Sequence, residues 1–145
     1  MTQEDKELLL KDLCARLPYG VIVEDTRCKI RGSLHDLFIY PKYKGDEIYD
    51  YIACTGFYHD CYYDDIVLFK PYLFPLSSIT IEQEKDLSKL GVSYGEYAIH
   101  DDIRGLGINV DEAYIFFEFC YKHHIDFLGL IGKGLAIDAT GKNIY

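Results

Sequence analysis

Apolar residues recur at helical spacing near both ends of this chain and at strand spacing between them. Over residues 2–17, Leu9, Leu10, Leu13, Cys14 and Leu17 share one side of a helical projection. Glu7/Lys11 and Asp12/Arg16 form i,i+4 pairs on the other side, where a solvated face is expected. Thr2 is placed to cap this helix with Asp5 three positions on, and Pro18 ends it. A second helix is expected after Thr80, with Gln83 in the capping-box position and Gly91 in the C′ role. The strongest helix follows Asn109, a good N-cap with Glu112 three residues later. Ala113, Phe116, Phe117, Cys120 and His124 fall on one face of it, Phe119 at the edge, and Glu118 and Lys122 opposite. Asp111 and Glu112 in the first turn, and Lys122, His123 and His124 in the last, suit the helix dipole.

Between the helices the period changes to that of strands. Tyr19–Val23, Lys29–Tyr40, Ile48–Cys54 and Tyr62–Leu68 read as four strands, with an irregularity near His35 and Asp36. Pro41 to Asp46 reads as a polar turn. Lys70–Ser78 carries two prolines and reads as an irregular apolar connector. Residues 92–108 are glycine-rich and give no clear pattern, and Leu130-Ile131 and Leu135-Ala136-Ile137 read as short buried runs between glycines. The expectation is one α+β domain over 1–145: a small antiparallel four-stranded meander or open barrel packed with about three helices. Within it, 1–70 supplies a helix and the antiparallel sheet, and 71–145 the connector and a helical C-terminal part.

Composition narrows the function classes. Apolar residues make up 49% of 145, enough for a real core. No run is long enough to cross a membrane and no basic-then-apolar leader opens the chain, so a cytoplasmic protein is expected. Five scattered cysteines fit reduced thiols better than a disulfide framework. The net charge of −9 opposes non-specific nucleic-acid binding and leaves room for a basic protein partner. Seven of the fourteen tyrosines lie between Tyr40 and Tyr63, interleaved with Asp46, Glu47, Asp50, Asp60, Asp64 and Asp65.

Two stretches, KPYLFPLSSIT before a Glu/Gln-rich helix and HHIDFLGLIGKGLAIDA near the end, resemble a group of uncharacterised proteins from gut Bacteroides and their phages or mobile elements. The resemblance covers roughly a fifth of the chain, as a sequence-pattern judgement. It implies a small cytosolic bacterial or phage protein and transfers no catalytic residue.

Four features are candidates for chemistry or binding. Cys54, His59 and Cys61, with Cys120 and His123, lack the close paired spacing of a structural zinc site, so no metal or cofactor is expected. Cys120, His123, His124 and Asp126 are the best polar constellation: a thiol one turn before a histidine, with a carboxylate nearby to orient it. Their structural explanation is the favoured one, since histidines in a last turn complement the dipole and Asp126 can tie down the following turn. Gly105-Leu106-Gly107 and Gly132-Lys133-Gly134 match no phosphate-binding fingerprint and read as turn glycines. Tyr49 and Tyr51 share one side of the third strand, with Ile48 and Ile52 on the other, and form the expected binding face for a basic partner. The leading expectation is therefore a non-enzymatic interaction module of phage or mobile-element origin. The alternative is a small enzyme using Cys120, His123, His124 and Asp126.

Overall fold

Helix α1 spans Gln3–Arg16 in the computed structural model, which describes residues 1–44, 47–54, 66–92 and 110–145, with 38–44, 47–54, 67 and 110 described by backbone alone. Its capping box forms as expected: Thr2 Oγ1 accepts from the Asp5 amide at 3.1 Å, and the Asp5 carboxylate accepts from the Thr2 amide at 2.9 Å. The buried stripe is Leu9, Asp12, Leu13 and Arg16, the i, i+3, i+4, i+7 series of a core-facing helix. The Asp12/Arg16 pair expected in water is thus fully buried, while Cys14 is exposed. The helix is turned by about one position from the expected stripe because Arg16 finds acceptors inside the protein.

The fold is α+β, with three helices and a mixed five-stranded sheet among the described residues. Strand β1 (Ile22–Asp25) pairs antiparallel with β2 (Arg31–Ser33). It also pairs antiparallel with the central strand β5, Phe69–Pro75. The short strands β6 (Ile125–Asp126) and β7 (Ile137–Asp138) both run parallel to β5. Strands β3 (Leu37–Lys44) and β4 (Glu47–Cys54) form a separate antiparallel ladder, from Leu37↔Cys54 to Lys44↔Glu47.

The sheet is neither closed into a barrel nor purely antiparallel, because the C-terminal part contributes β6 and β7 in parallel. The long second strand is two strands in two sheets, separated where Leu34 turns into the core and its amide donates to the Val21 carbonyl. As a result, Pro41 to Lys44 is strand rather than turn. The proline-containing connector is the central strand. Thr26 donates to the Leu68 carbonyl at 2.8 Å, which makes that register position a hydrogen-bonded one. The antiparallel alternation then puts Pro71, opposite Val23, at a non-bonded position, so its missing N–H costs the ladder to β1 nothing. Pro75 is simply the last residue of the strand. Of the expected strand Tyr62–Leu68, residues 62–65 lie outside the described residues, and Ile66–Leu68 form a 3-10 turn leading into β5.

Helix α2 (Ile81–Lys89) carries the expected capping box of Thr80 and Gln83. Gly91 follows its end with φ +89°, a left-handed conformation that glycine adopts without strain. Helix α3 spans Val110–Lys122, and its expected cap Asn109, like residues 93–108, lies outside the described residues. Two apolar clusters result. Leu9, Leu13, Val23, Leu73, Leu130 and Leu135 join α1 to the sheet and the C-terminal segment. Leu87, Phe116, Phe119, Cys120, Ile125 and Phe127 join α2, α3 and β6. No helix among the described residues is long and apolar enough to cross a membrane.

Candidate functional site

The end of α3 is held by a cation from another helix. Arg16 donates through Nη1 to the Cys120 carbonyl at 3.2 Å and through Nη2 to the Ile125 carbonyl at 2.8 Å. Its Nε donates to Asp12 Oδ2 at 2.8 Å, and the guanidinium lies 5.2 Å from the centre of the Tyr121 ring. The bond to Cys120 satisfies a carbonyl that the end of α3 would otherwise leave open, at the negative end of its dipole, while Ile125 lies beyond the helix in β6 and its carbonyl also accepts from the Phe127 amide at 3.2 Å.

The chain then turns at His124, whose φ of +55° is the left-handed conformation that glycine or asparagine usually takes there. Two contacts hold the histidine in it. Its carbonyl accepts from the Phe74 amide at 2.8 Å, which starts the β5–β6 pairing. Its ring lies flat on Tyr145, with centroids 3.9 Å apart and planes 9° from parallel. Tyr145 is anchored in turn: its hydroxyl donates to the Tyr72 carbonyl at 2.6 Å and accepts from the Ile22 amide at 3.2 Å. Burial pushes the Tyr145 hydroxyl up to about 12, so it remains protonated.

Burial, with smaller contributions from Arg16 and His123, pushes His124 down to about 4. His123 is also lowered, by burial and then by Lys122, and packs against Phe119 at 4.3 Å. At neutral pH both imidazoles are therefore uncharged. Nδ1 of His124 is sealed from solvent and has no partner. A bare lone pair is tolerated in such a place better than an orphaned N–H, so we assign the proton to Nε2.

His123 and His124 line a cleft of about 540 Å³. Its other walls are Phe74, Ser78, Thr80, Gln83, Lys122, Ile125, Thr140, Gly141 and Tyr145. That volume falls within the range of small-ligand sites. The N-terminus of α2 therefore borders the same space as the C-terminal turn of α3. Lys122 is exposed and makes no ion pair among the described residues.

The four residues expected to act together are divided. Cys120 is fully buried and its thiol is pushed up to about 12 by desolvation, far from the thiolate that nucleophilic attack requires. Both oxygens of Asp126 accept backbone amides of the following turn, from Leu130 and Ile131, each at 2.8 Å. Only the histidines reach the cleft. Among the described residues no group of three or more His, Cys, Asp or Glu could hold a metal ion; His59, Cys61 and the side chain of Cys54 lie outside them. Tyr49 and Tyr51 pair with Lys42 and Tyr40 in the β3–β4 ladder, and the direction of their side chains, like that of Ile48 and Ile52, lies outside the described residues.

Sequence reasoning missed Ser78, Thr80, Gln83, Thr140 and Tyr145 as cleft residues. They come from distant segments, and Thr80 and Gln83 already carry a complete local explanation as a cap. No protein family, curated protein or solved structure matches this chain.

Proposed function

We propose that this chain is a small non-enzymatic binding module whose ligand seat is the cleft between α2 and the end of α3. The observation that carries this reading is the division of the polar constellation. The cleft receives two uncharged imidazoles, while the thiol and the carboxylate that would make them catalytic are occupied in the core and in a turn. General base catalysis works best with a pKa near the working pH, and His124 is held well below that. The net charge of −9 favours a basic protein as partner over nucleic acid. The tyrosine-rich, acidic segment with Tyr49 and Tyr51 belongs to the same proposal as a second contact for that partner. So does a cytoplasmic, phage or mobile-element setting, which rests on the two resembling stretches.

A fragment screen read by amide chemical shifts tests the seat. Hits should cluster their shifts on Thr80, Gln83, Lys122, His124 and Tyr145. Thr140→Trp, a change at an exposed cleft residue, should abolish them while moving stability by no more than about 0.5 kcal/mol. Hits that map elsewhere, or survive Thr140→Trp, would contradict the proposal.

A further inference from the structure

The segment after β7 is tied to the rest of the fold through one aromatic ring. Residues 140–144 are exposed except for Ile144. Among the described residues their hydrogen bonds stay within 138–144: the Thr140 amide donates to Asp138, that of Lys142 to the Ala139 carbonyl and that of Ile144 to the Lys142 carbonyl. Tyr145 is different. Its hydroxyl bridges Ile22 and Tyr72, and its ring lies on His124 and tilts against Phe74 at 5.9 Å.

That hydroxyl sits at a break in the main-chain ladder. Strand β1 is paired with β5 as far as Val23↔Pro71, and β6 joins β5 only at Phe74. The bond from Thr26 to Leu68 sets the bonded steps at two-residue intervals, so Ile22 opposite Tyr72 is where the next one falls due. The pairing stops short of it. Instead the Ile22 amide donates to the Tyr145 hydroxyl at 3.2 Å, which donates to the Tyr72 carbonyl at 2.6 Å. The break selects its occupant: one atom has to accept from an amide and donate to a carbonyl, at the end of a flat ring. A phenylalanine ring does neither, an indole N–H or an ammonium group only donates, and a carboxylate only accepts. A phenol does both.

The occupant is also replaceable. Tyr145 is 47% exposed and borders the cleft, while Asn143 and Ile144 border a second hollow of about 170 Å³ beside Ile22 and Arg31. Lifting the ring breaks two hydrogen bonds and a ring stack, and none of the strand pairings runs through 140–145.

Resting on the reading of the cleft as a binding seat, we propose that its ligand is a tyrosine side chain of a basic partner protein, and that Tyr145 holds that ring's place within the chain. The partner's ring enters the break as the segment 140–145 lifts, its hydroxyl between Ile22 and Tyr72 and its face on His124. The unbound protein is self-occupied, and its apparent affinity is lowered to the fraction of molecules in which Tyr145 has left its place.

The test titrates the protein and its variants Tyr145→Phe and Tyr145→Ala with acetyl-Lys-Tyr-Lys-amide, acetyl-Lys-Phe-Lys-amide and p-cresol. Amide shifts of Ile22, Phe74 and His124 report on the break. The tyrosine peptide should bind Tyr145→Ala at least about tenfold tighter than the parent, with Tyr145→Phe between them, because each change weakens the internal competitor. In Tyr145→Ala the phenylalanine peptide, of equal charge, should bind about tenfold or more weakly, since it leaves an amide and a carbonyl unpaired. p-Cresol, without the lysines that a net charge of −9 attracts, should bind more weakly than the tyrosine peptide. Equal binding of the tyrosine peptide to all three proteins would overturn Tyr145 as a competitor. Equal binding of the two peptides to Tyr145→Ala would overturn recognition of the hydroxyl, and p-cresol binding as tight as the peptide would overturn a protein as its source. If Tyr145→Ala does not fold, the parent and Tyr145→Phe decide: tighter binding to Tyr145→Phe supports the proposal and equal binding overturns it. No saturable shift in any of these proteins would overturn the tyrosine and leave the seat standing on its fragment hits; with a failed fragment screen it would overturn the seat as well.

Discussion

Arg16→Ala should destabilise this protein by about 3–5 kcal/mol, the range for removing one partner of a buried ion pair. Arg16 and Asp12 are both fully buried, and Asp12 Oδ1 has no partner even in the intact protein. Burial accordingly raises the pKa of the Asp12 carboxyl, and Arg16 offsets only part of that. Without the guanidinium, a carboxylate is left in the core, the Cys120 carbonyl loses its donor and the Ile125 carbonyl keeps only the Phe127 amide. For a domain of this size the loss corresponds to a fall in melting temperature on the order of 10 °C. The double variant Asp12→Leu/Arg16→Met should be more stable than Arg16→Ala, because the orphaned charge leaves with its partner. It should remain below the parent, since neither leucine nor methionine can donate to the Cys120 and Ile125 carbonyls. Urea denaturation of the three proteins measures these differences. A loss below about 1 kcal/mol for Arg16→Ala would show that the pair is solvated, as exposed i,i+4 pairs are.

Stability should also fall between pH 7 and pH 5, before any ordinary carboxylate titrates. His124 is held at about 4 in the folded protein against 6.5 as its ordinary value. The unfolded chain therefore takes up the proton first, so His124 contributes its full share of stability above 6.5 and loses it as pH falls toward 4. That shift amounts to about 2 kcal/mol between pH 7 and pH 5, as an order of magnitude. His123, lowered too, acts in the same direction. Asp12 acts oppositely, because a folded pKa above the unfolded one favours the folded state as pH falls. Asp5, Asp25, Asp86 and Asp138 are all lowered, so their contributions disappear only at still lower pH. His124→Phe keeps a flat ring against Tyr145 and removes the titration. It should flatten the profile between pH 7 and pH 5, and a parent profile equally flat would contradict the assignment.

Local features were legible in the sequence, and features set by distant partners were not. The capping boxes at Thr2 and Thr80 and the C′ role of Gly91 involve residues close together along the chain, and each forms as expected. His123 and His124 were expected in the last turn of α3, but the helix ends at Lys122; His124 is buried by a left-handed turn and by Tyr145, not by a 100° step per residue. Asp12 and Arg16 show why the same rule fails for charges. A buried pair and a surface pair have the same spacing, and only the carbonyls of Cys120 and Ile125, more than 100 residues away, distinguish them. The central strand β5 was hidden because proline excludes a residue from bonded ladder positions only, and the register against β1 is a long-range property. The mixed sheet depends on pairings between β5 and two-residue strands, too short to leave a periodic signal. The cleft was invisible for the same reason: its walls are brought together by the fold.

The most direct test of a binding role, rather than a catalytic one, is a pH titration of the His124 imidazole by nitrogen and carbon NMR. The expected result is a midpoint near 4 and, at pH 7, a neutral ring with its proton on Nε2. A midpoint at or above 6.5, or a proton on Nδ1, would contradict it and return the histidine to the range of a general base.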